Sequence, residues 1–239
     1  MAAKRMIERS PTAQVVAALN NSQDVIIRRA LCHALGRRCD SEAVPALIEC
    51  LRDPDEVLCT EAAEALGNIG DRLAGPALFE RFSGPDTCNR NLLAYALGAV
   101  AYRQAIPALT QALADPDVRG SAAIALGSLG AVEAKAAMRE ALRAETSESS
   151  RSLIERALAA ISVVDDALRA EDIGAALPGI SRALKSRDIV LKLAAVRALE
   201  LLGGTQTEVL LRNRVGAATR DCSLQNRINE ALEHIAKRA

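Results

Sequence analysis

Apolar residues recur along this chain with the spacing of helices that bury one face. Between residues 43 and 51 they follow a single helical face. We expect this helix to stop at Asp53-Pro54-Asp55, because the residue before a proline avoids the helical region. A second helix is predicted from about Glu56 to Leu66, with Leu58, Ala62, Ala65 and Leu66 turned inward. We interpret Gly67 as the left-handed residue that caps this helix.

The second helix closes on a phrase, Ala-Leu-Gly, that is written four times. It begins at Ala34, Ala65, Ala96 and Ala125, and shorter Ala-Leu copies begin at Ala157, Ala198 and Ala231. Self-similarity with a period of about 30 residues is the signature of a solenoid, in which each unit buries its apolar face only against its neighbours. We therefore predict an all-α, right-handed α-α superhelix of about seven helical pairs, with first helices on the convex face and second helices on the concave face.

The array is expected to form one solenoid over residues 1–239. No strand is expected, because the alternating apolar runs typical of strands are absent. It is regular over residues 24–142 and less regular afterwards. The longest gap between copies holds an insertion near residues 163–172. Insertions in solenoids map to loops, and this one is expected to add a helical turn and bend the stack. Residues 1–9 are polar enough to cap the first pair.

The repeated phrases resemble the short bacterial HEAT-like repeat. The resemblance lies in an Asp-Pro-Asp turn followed by Ala-Ala-x-Ala-Leu-Gly, as in 53–67 and again in 115–127. Repeats of this type occur in the phycobilin lyases, which attach bilin chromophores to antenna proteins. The resemblance implies a solenoid fold over nearly the whole chain, but a fold does not by itself fix a function.

The composition of the chain limits the kinds of partner that we expect. Half of the residues are hydrophobic, whereas only 2% are aromatic and none is Trp, so the core must be thin and built from Ala and Leu. Lys and Arg total 30, as do Asp and Glu, and this balance argues against a nucleic-acid binder. No apolar run approaches the ~18 residues of a membrane span, and no signal peptide is evident at the N-terminus. We expect a cytoplasmic protein.

The six cysteines show neither a C-x-x-C motif nor a paired histidine spacing; they are Cys32, Cys39, Cys50, Cys59, Cys88 and Cys222. A disulfide framework is typical of shorter secreted chains. We therefore predict free thiols in a reducing cytosol, with Cys32, Cys50 and Cys59 as small buried side chains. A metal cluster formed by the first repeats is the alternative.

Enzymatic chemistry finds little support in the sequence. Deoxyhypusine hydroxylase, which has a similar architecture, requires His-Glu pairs, and this chain has only His33 and His234. HEAT-like alkylpurine DNA glycosylases use aromatic residues to face the lesion, whereas this chain has no Trp and no net charge. Cys32 and His33 are adjacent, so on a helix they point about 100° apart and cannot form a nucleophile–base pair. We predict no catalytic residue, no cofactor and no metal, and expect His33 to be an exposed helix residue.

One basic row runs through equivalent positions, six residues before the alanine of each phrase. It holds Arg28, Cys59, Arg90, Arg119, Arg151, Lys192 and Gln225, and we call its basic members the basic ladder. In one interpretation each Arg pairs with the Asp of a nearby inter-helix turn. In the other, the ladder lies along the concave face, beside Tyr95 and Arg156, and binds an acidic protein partner.

The sequence thus favours a non-enzymatic scaffold or adaptor that binds a protein partner through its concave face. Its predicted binding residues are Arg28, Arg90, Tyr95, Arg119, Arg151, Arg156 and Lys192. The alternatives are a phycobilin lyase-like chromophore-binding subunit, as the resemblance implies, and a regulatory subunit of an enzyme. Neither nucleic acid nor a membrane is an expected partner.

Overall fold

The described part of the chain is built from α-helices. A computed structural model describes residues 10–84, 89–170, 172–215 and 221–238, without the side chains of 214 and 215. These residues contain fourteen α-helices and no strand. Odd-numbered helices are the first of each pair: α1 (Thr12–Asn21), α3 (Val44–Cys50), α5 (Gly75–Ser83), α7 (Ile106–Ala112), α9 (Lys135–Ala144), α11 (Ile173–Lys185) and α13 (Thr205–Val215). Even-numbered helices are the second: α2 (Val25–Arg38), α4 (Glu56–Ile69), α6 (Arg90–Ala99), α8 (Arg119–Leu129), α10 (Glu148–Arg169), α12 (Ile189–Leu202) and α14 (Cys222–Ala236).

The seven predicted pairs are confirmed, but the role predicted for Gly67 is wrong. Helix α4 continues past Gly67, and its left-handed cap is Gly70, with φ of 74°. At its other end, Asp55 is the N-cap and accepts a hydrogen bond of 2.7 Å from the backbone N–H of Leu58. The sequence pattern located the pair correctly but not the function of the glycine in its repeated phrase.

The glycine of each phrase lets neighbouring second helices approach closely. A Cβ added to Gly36 would lie 2.6 Å from the Cα of Ala65, and one added to Gly98 would lie 2.7 Å from the Cα of Ala125. Gly67 and Gly127 make the corresponding approaches to Ala96 and Ala157. The glycine of one copy therefore packs against the alanine of the next copy. The repeated phrase is a stacking motif, and any larger side chain at its third position would push the backbones apart.

The second helices form the inner layer of the superhelix. Consecutive second helices pack along one another, whereas the first helices mainly contact their own partners. Leu66 and Leu126 are fully buried between pairs, as the repeat register predicts. Helix α8 is buried along its whole length apart from Ser121, because α12 covers its concave side. The array thus curls back onto itself after the fourth pair.

The insertion near residues 163–172 lengthens a helix. Residues up to Arg169 belong to α10, which is 22 residues long. Asp165 is buried there, accepts hydrogen bonds from Lys135 (2.6 Å) and Arg169 (2.8 Å), and has a lowered pKa because of these two cations. Residue 171 and the cap predicted at residues 1–9 lie outside the described residues.

Candidate functional site

The basic ladder lies along the edge of the solenoid that carries the inter-helix turns. Arg28 of the first pair donates to Asp53 in the turn of the second pair (2.5 Å). Arg90 of the third pair contacts Asp115 in the turn of the fourth (3.2 Å) and also lies over the ring of Phe82. These ion pairs join the first pair to the second and the third pair to the fourth, as the structural interpretation of the ladder predicts; we call them staples. The binding role of these residues stays a prediction.

The carboxylates of Asp53 and Asp115 each accept one hydrogen bond within their own turn and one from an Arg of the preceding pair. One oxygen of Asp53 accepts the backbone N–H of Asp55 (2.9 Å), while the other accepts Arg28. Asp115 repeats this arrangement with the N–H of Asp117 and with Arg90. For Asp53, burial works against ionisation, yet the hydrogen bonds from the Asp55 N–H and from Arg28 keep its pKa below the ordinary value. The turn and the staple therefore stabilise each other.

Two ladder members are directed into the protein. Arg119 is only 9% exposed and donates to the carbonyls of Leu113 and Ala114 and to Glu145. Arg151 donates to the carbonyls of Leu142 (3.2 Å) and Glu145 (3.0 Å). A partner cannot reach the buried guanidinium of Arg119, so this residue packs at the turn edge and does not lie on a binding surface.

The other predicted binding residues fall in different surroundings. Arg156 forms a two-point ion pair with Asp188 (2.8 and 3.0 Å), the N-cap residue of α12. Lys192 is half-buried, and its ammonium has no ion-pair partner among the described residues. Tyr95 is the member that faces the concave side, where it is 39% exposed. The structure therefore does not bring the seven residues together on one surface.

The cysteine prediction is wrong in part. Cys32 and Cys50 are free and buried, as expected, and Cys59 is buried too. However, Cys39 and Cys222 form a disulfide with a Cα–Cα distance of 5.7 Å, and Cys59 is also disulfide-bonded. The sequence reasoning failed because it rested on residue spacing along the chain, while the fold brings together two cysteines separated by 183 positions.

The Cys39–Cys222 bond marks the place where the last pair meets the first two. The N-terminal half of α14 lies against the end of α4: the Asn226 amide donates to the Ile69 carbonyl (2.7 Å). A Cβ added to Gly70 would lie 2.5 Å from the Cα of Ser223. Further along, Arg72 approaches Glu230 at 3.9 Å. The last helix thus occupies part of the concave side.

A charged cluster holds α14 against the inner layer. Arg227 is 6% exposed and donates to the Ser128 carbonyl (3.5 Å); burial lowers its pKa to about 10. Glu200 accepts hydrogen bonds from Arg197 (2.8 Å) and His234 (2.5 Å). Burial opposes ionisation of Glu200, but these two donors lower its pKa. The cluster thus links α12 and α14 with charge-assisted hydrogen bonds.

A cavity of about 260 Å³ remains where α14 begins. Its lining includes Arg37, Cys39, Asn68, Tyr95, Asp221 and Cys222. The pKa of Tyr95 is raised by burial and by the nearby carboxylates of Asp221 and Glu64. Both sulfur-bearing residues of the disulfide therefore line the same opening as the one aromatic residue on this face.

Next to this cavity, the concave side of the first three pairs is not covered by other described residues. We call this surface the open concave face; it consists of Ile26, Ala30, His33, Arg37, Val57, Glu61, Glu64, Asn68, Asn91 and Tyr95. Ile26 and Val57 occupy the same position of the repeat and are 71% and 49% exposed. His33 is exposed, as predicted, and approaches Glu61 at 3.7 Å. Sequence reasoning missed the two aliphatic residues, although their equivalent positions were a usable signal.

Among the described residues, no group of three or more His, Cys, Asp or Glu side chains is arranged to hold a metal ion. In the same part of the chain, no helix combines the length and apolar character that crossing a bilayer requires.

Two solved structures are similar to this chain to different degrees. The complex of CpcE and CpcF of phycocyanin lyase from Nostoc sp. PCC7120 is 23% identical, with a TM-score of 0.51, and the match covers 92% of this chain and 82% of that one. Human deoxyhypusine hydroxylase in complex with glycerol is 20% identical over 99% of this chain and 89% of that one, with a TM-score of 0.39. At these identities the likeness to the lyase complex shows the fold alone.

No curated protein sequence is similar enough to count as a match. Two segments, residues 12–91 and 75–159, match the family of HEAT repeats. The Ala-Leu-Gly stacking seen in the first four pairs lies within these segments. This match spans more than half of the sequence, and the chain belongs to the HEAT repeat family.

Proposed function

We propose that this protein is a non-enzymatic scaffold or adaptor that binds a protein partner through the open concave face. The observation that carries the proposal is the exposure of Ile26, Val57 and Tyr95 on three consecutive second helices. Exposed apolar side chains that cluster on one surface are typical of interaction sites. Tyr is also enriched among the residues that dominate binding energy.

The surroundings of these three residues support a protein partner. Polar and charged side chains of both signs border them, including His33 and Arg37 on α2 and Glu61 and Glu64 on α4. An apolar centre with a polar rim is the usual anatomy of a protein interface. An acidic partner is less favoured than the ladder implied, because Arg28, Arg90 and Arg156 are already paired with carboxylates.

The test is affinity capture from an extract of the source cells, quantified by mass spectrometry, with wild-type protein and a triple variant carrying Ile26→Ser, Val57→Ser and Tyr95→Ala. We expect capture of the wild-type-enriched proteins to fall at least about tenfold, the equivalent of about 1.4 kcal/mol. The substitutions are at exposed positions, so circular dichroism should show unchanged helicity.

The chain offers matched controls. Leu73 is as exposed as Ile26 (71%), and Val209, at 56%, resembles Val57, yet both lie away from the open concave face. Leu73→Ser with Val209→Ser should leave capture unchanged. Equal loss with the control variant, or undiminished capture with the triple variant, would exclude this face as the binding site.

The role of the ladder is decided by the same assay. Arg90→Ala should lower thermal stability and leave capture unchanged, since its partner Asp115 lies in the next turn. Loss of capture without loss of stability would instead assign Arg90 to the interface.

A further inference from the structure

We propose that Cys39–Cys222 is a redox-active modification site, at which a dithiol reductant releases the last pair from the first two and widens the concave side. The bond is the only covalent link described between the two ends of the array, and it spans 183 positions. Other described contacts across this junction include the hydrogen bond from Asn226 to Ile69 and the 3.9 Å approach of Arg72 to Glu230.

The disulfide is accessible to a reductant. Both cysteines are only partly buried, and both line the solvent-open cavity of about 260 Å³ at the start of α14. Thiol–disulfide exchange requires a thiolate to reach one sulfur directly, so access decides which bond reacts. Cys59 provides the contrast within the same chain, because it is disulfide-bonded but fully buried.

The backbone holds each cysteine of the bond in a defined conformation at a helix end. Cys39 ends α2 in the left-handed region, with φ of 58°, a conformation that glycine usually supplies. Non-glycine residues held in this region cluster at functional sites. On the other side, Asp221 caps α14 and accepts hydrogen bonds from the Leu224 N–H (3.0 Å) and the Ser223 hydroxyl (2.8 Å), which fixes Cys222 in the first turn.

The reaction balances with a dithiol as the second reactant. One thiolate of the reductant attacks a sulfur of the bond, which breaks to give a mixed disulfide and one free cysteine. The second thiol of the reductant then displaces the other cysteine. The reductant leaves as its own disulfide, having lost two electrons and two protons, and Cys39 and Cys222 take them up as two thiols.

Reduction of the Cys39–Cys222 bond would separate the last pair from the surface that adjoins the open concave face. The contacts that remain across the junction include the Asn226–Ile69 hydrogen bond, the packing of Ser223 on Gly70, and the 3.9 Å approach of Arg72 to Glu230. Helix α14 stays attached to α12 through the Glu200 cluster, so reduction separates pairs without unfolding them. Control of a partner by this opening rests on the proposed function; the opening itself does not.

The first experiment maps thiol accessibility in the full-length native protein. The protein is treated with dithiothreitol, alkylated and digested for mass spectrometry. We expect Cys39 and Cys222 to be alkylated only after reduction, and Cys32, Cys50 and Cys59 only after unfolding. Alkylation of Cys39 and Cys222 without reductant, or their resistance to reduction until the protein unfolds, would overturn the proposal.

The second experiment measures hydrogen exchange with and without dithiothreitol. Exchange at residues 222–230 and at residues 66–72 should accelerate about tenfold on reduction, while α8 should be unaffected. The Cys39→Ser variant should exchange like the reduced protein and show no further change with dithiothreitol. Unchanged exchange after confirmed reduction would exclude the opening, and because no partner is involved, the result is independent of the proposed function.

Discussion

The first four pairs and the last three pairs use different means to stack their second helices. In the first four, the glycines at residues 36, 67, 98 and 127 bring each backbone against the alanine of the next phrase. In the last three, the corresponding residues are Ala159, Glu200 and Glu233. Glu200 instead accepts hydrogen bonds from Arg197 and His234. A stack joined by backbone contact is regular, whereas side chains at the joints change the spacing.

This difference accounts for two separate cores and for the shape of the concave side. One hydrophobic cluster runs from Val15 to Ile161, and a second extends from Ile124 to Ile235. The second cluster covers α8. The positions of α8 that correspond to the open concave face of α2 and α4 are therefore buried from Ile124 onward. Loss of the glycine therefore coincides with the point at which the array curls over its own concave side.

The largest expected effect comes from removing the repeated leucine. It tests whether the stability of the first four pairs and that of the last three depend equally on this residue. Leu66→Ala should cost about 2–5 kcal/mol of unfolding free energy, because this side chain is fully buried between stacked pairs. Leu232 occupies the same position in the last pair but is only partly buried, so Leu232→Ala should cost less. Chemical denaturation measures both. A cost below about 1 kcal/mol for Leu66→Ala would mean that the repeat register is wrong.

An intermediate effect tests the glycine stacking itself. Gly98→Ala should destabilise the protein by about 1–3 kcal/mol, since the new Cβ would lie 2.7 Å from the Cα of Ala125. Gly179 is the matched control: it lies inside α11, and a Cβ there meets nothing within 4 Å. Gly179→Ala should stabilise the helix by up to about 1 kcal/mol. If thermal denaturation shows equal shifts for the two variants, close approach is not what the glycine provides.

The smallest effect tests the staples between pairs. Arg156→Ala should cost about 0.2–1 kcal/mol, because the Arg156–Asp188 pair is partly exposed. Arg156 lowers the pKa of Asp188 below its ordinary value, so the stabilisation is present above that ordinary value and is lost as the pH falls through the lowered pKa. The difference between wild type and variant, measured by denaturation, should therefore be full near neutral pH and shrink in acid, as the pH falls below the ordinary pKa of an aspartate.

Lys192→Ala is the control for that experiment, because Lys192 has no ion-pair partner among the described residues. Its stability should equal that of the wild type both near neutral pH and in acid. A larger loss for Lys192→Ala than for Arg156→Ala would contradict the assignment of the staples.

The local plan of this protein was determined by its sequence. Helical periodicity, the Asp-Pro-Asp turns and the repeated phrase predict seven pairs and the burial of Leu66 and Leu126, because these features depend on residues within one period. The same locality explains why one of the two interpretations of the ladder already named the turn carboxylates. An Arg and the Asp of the next turn lie about 25 residues apart, within a single repeat step.

Only the tertiary structure decided which surfaces stay open. The glycine of the phrase looks like a helix cap until the neighbouring alanine is seen against it. Cys39 and Cys222 show no motif, and Asn226 and Ile69 are 157 positions apart. These contacts arise because small rotations between pairs add up along the stack until its ends meet. Local patterns set each rotation only approximately, so no single repeat encodes the closure that covers α8 and leaves Ile26, Val57 and Tyr95 exposed.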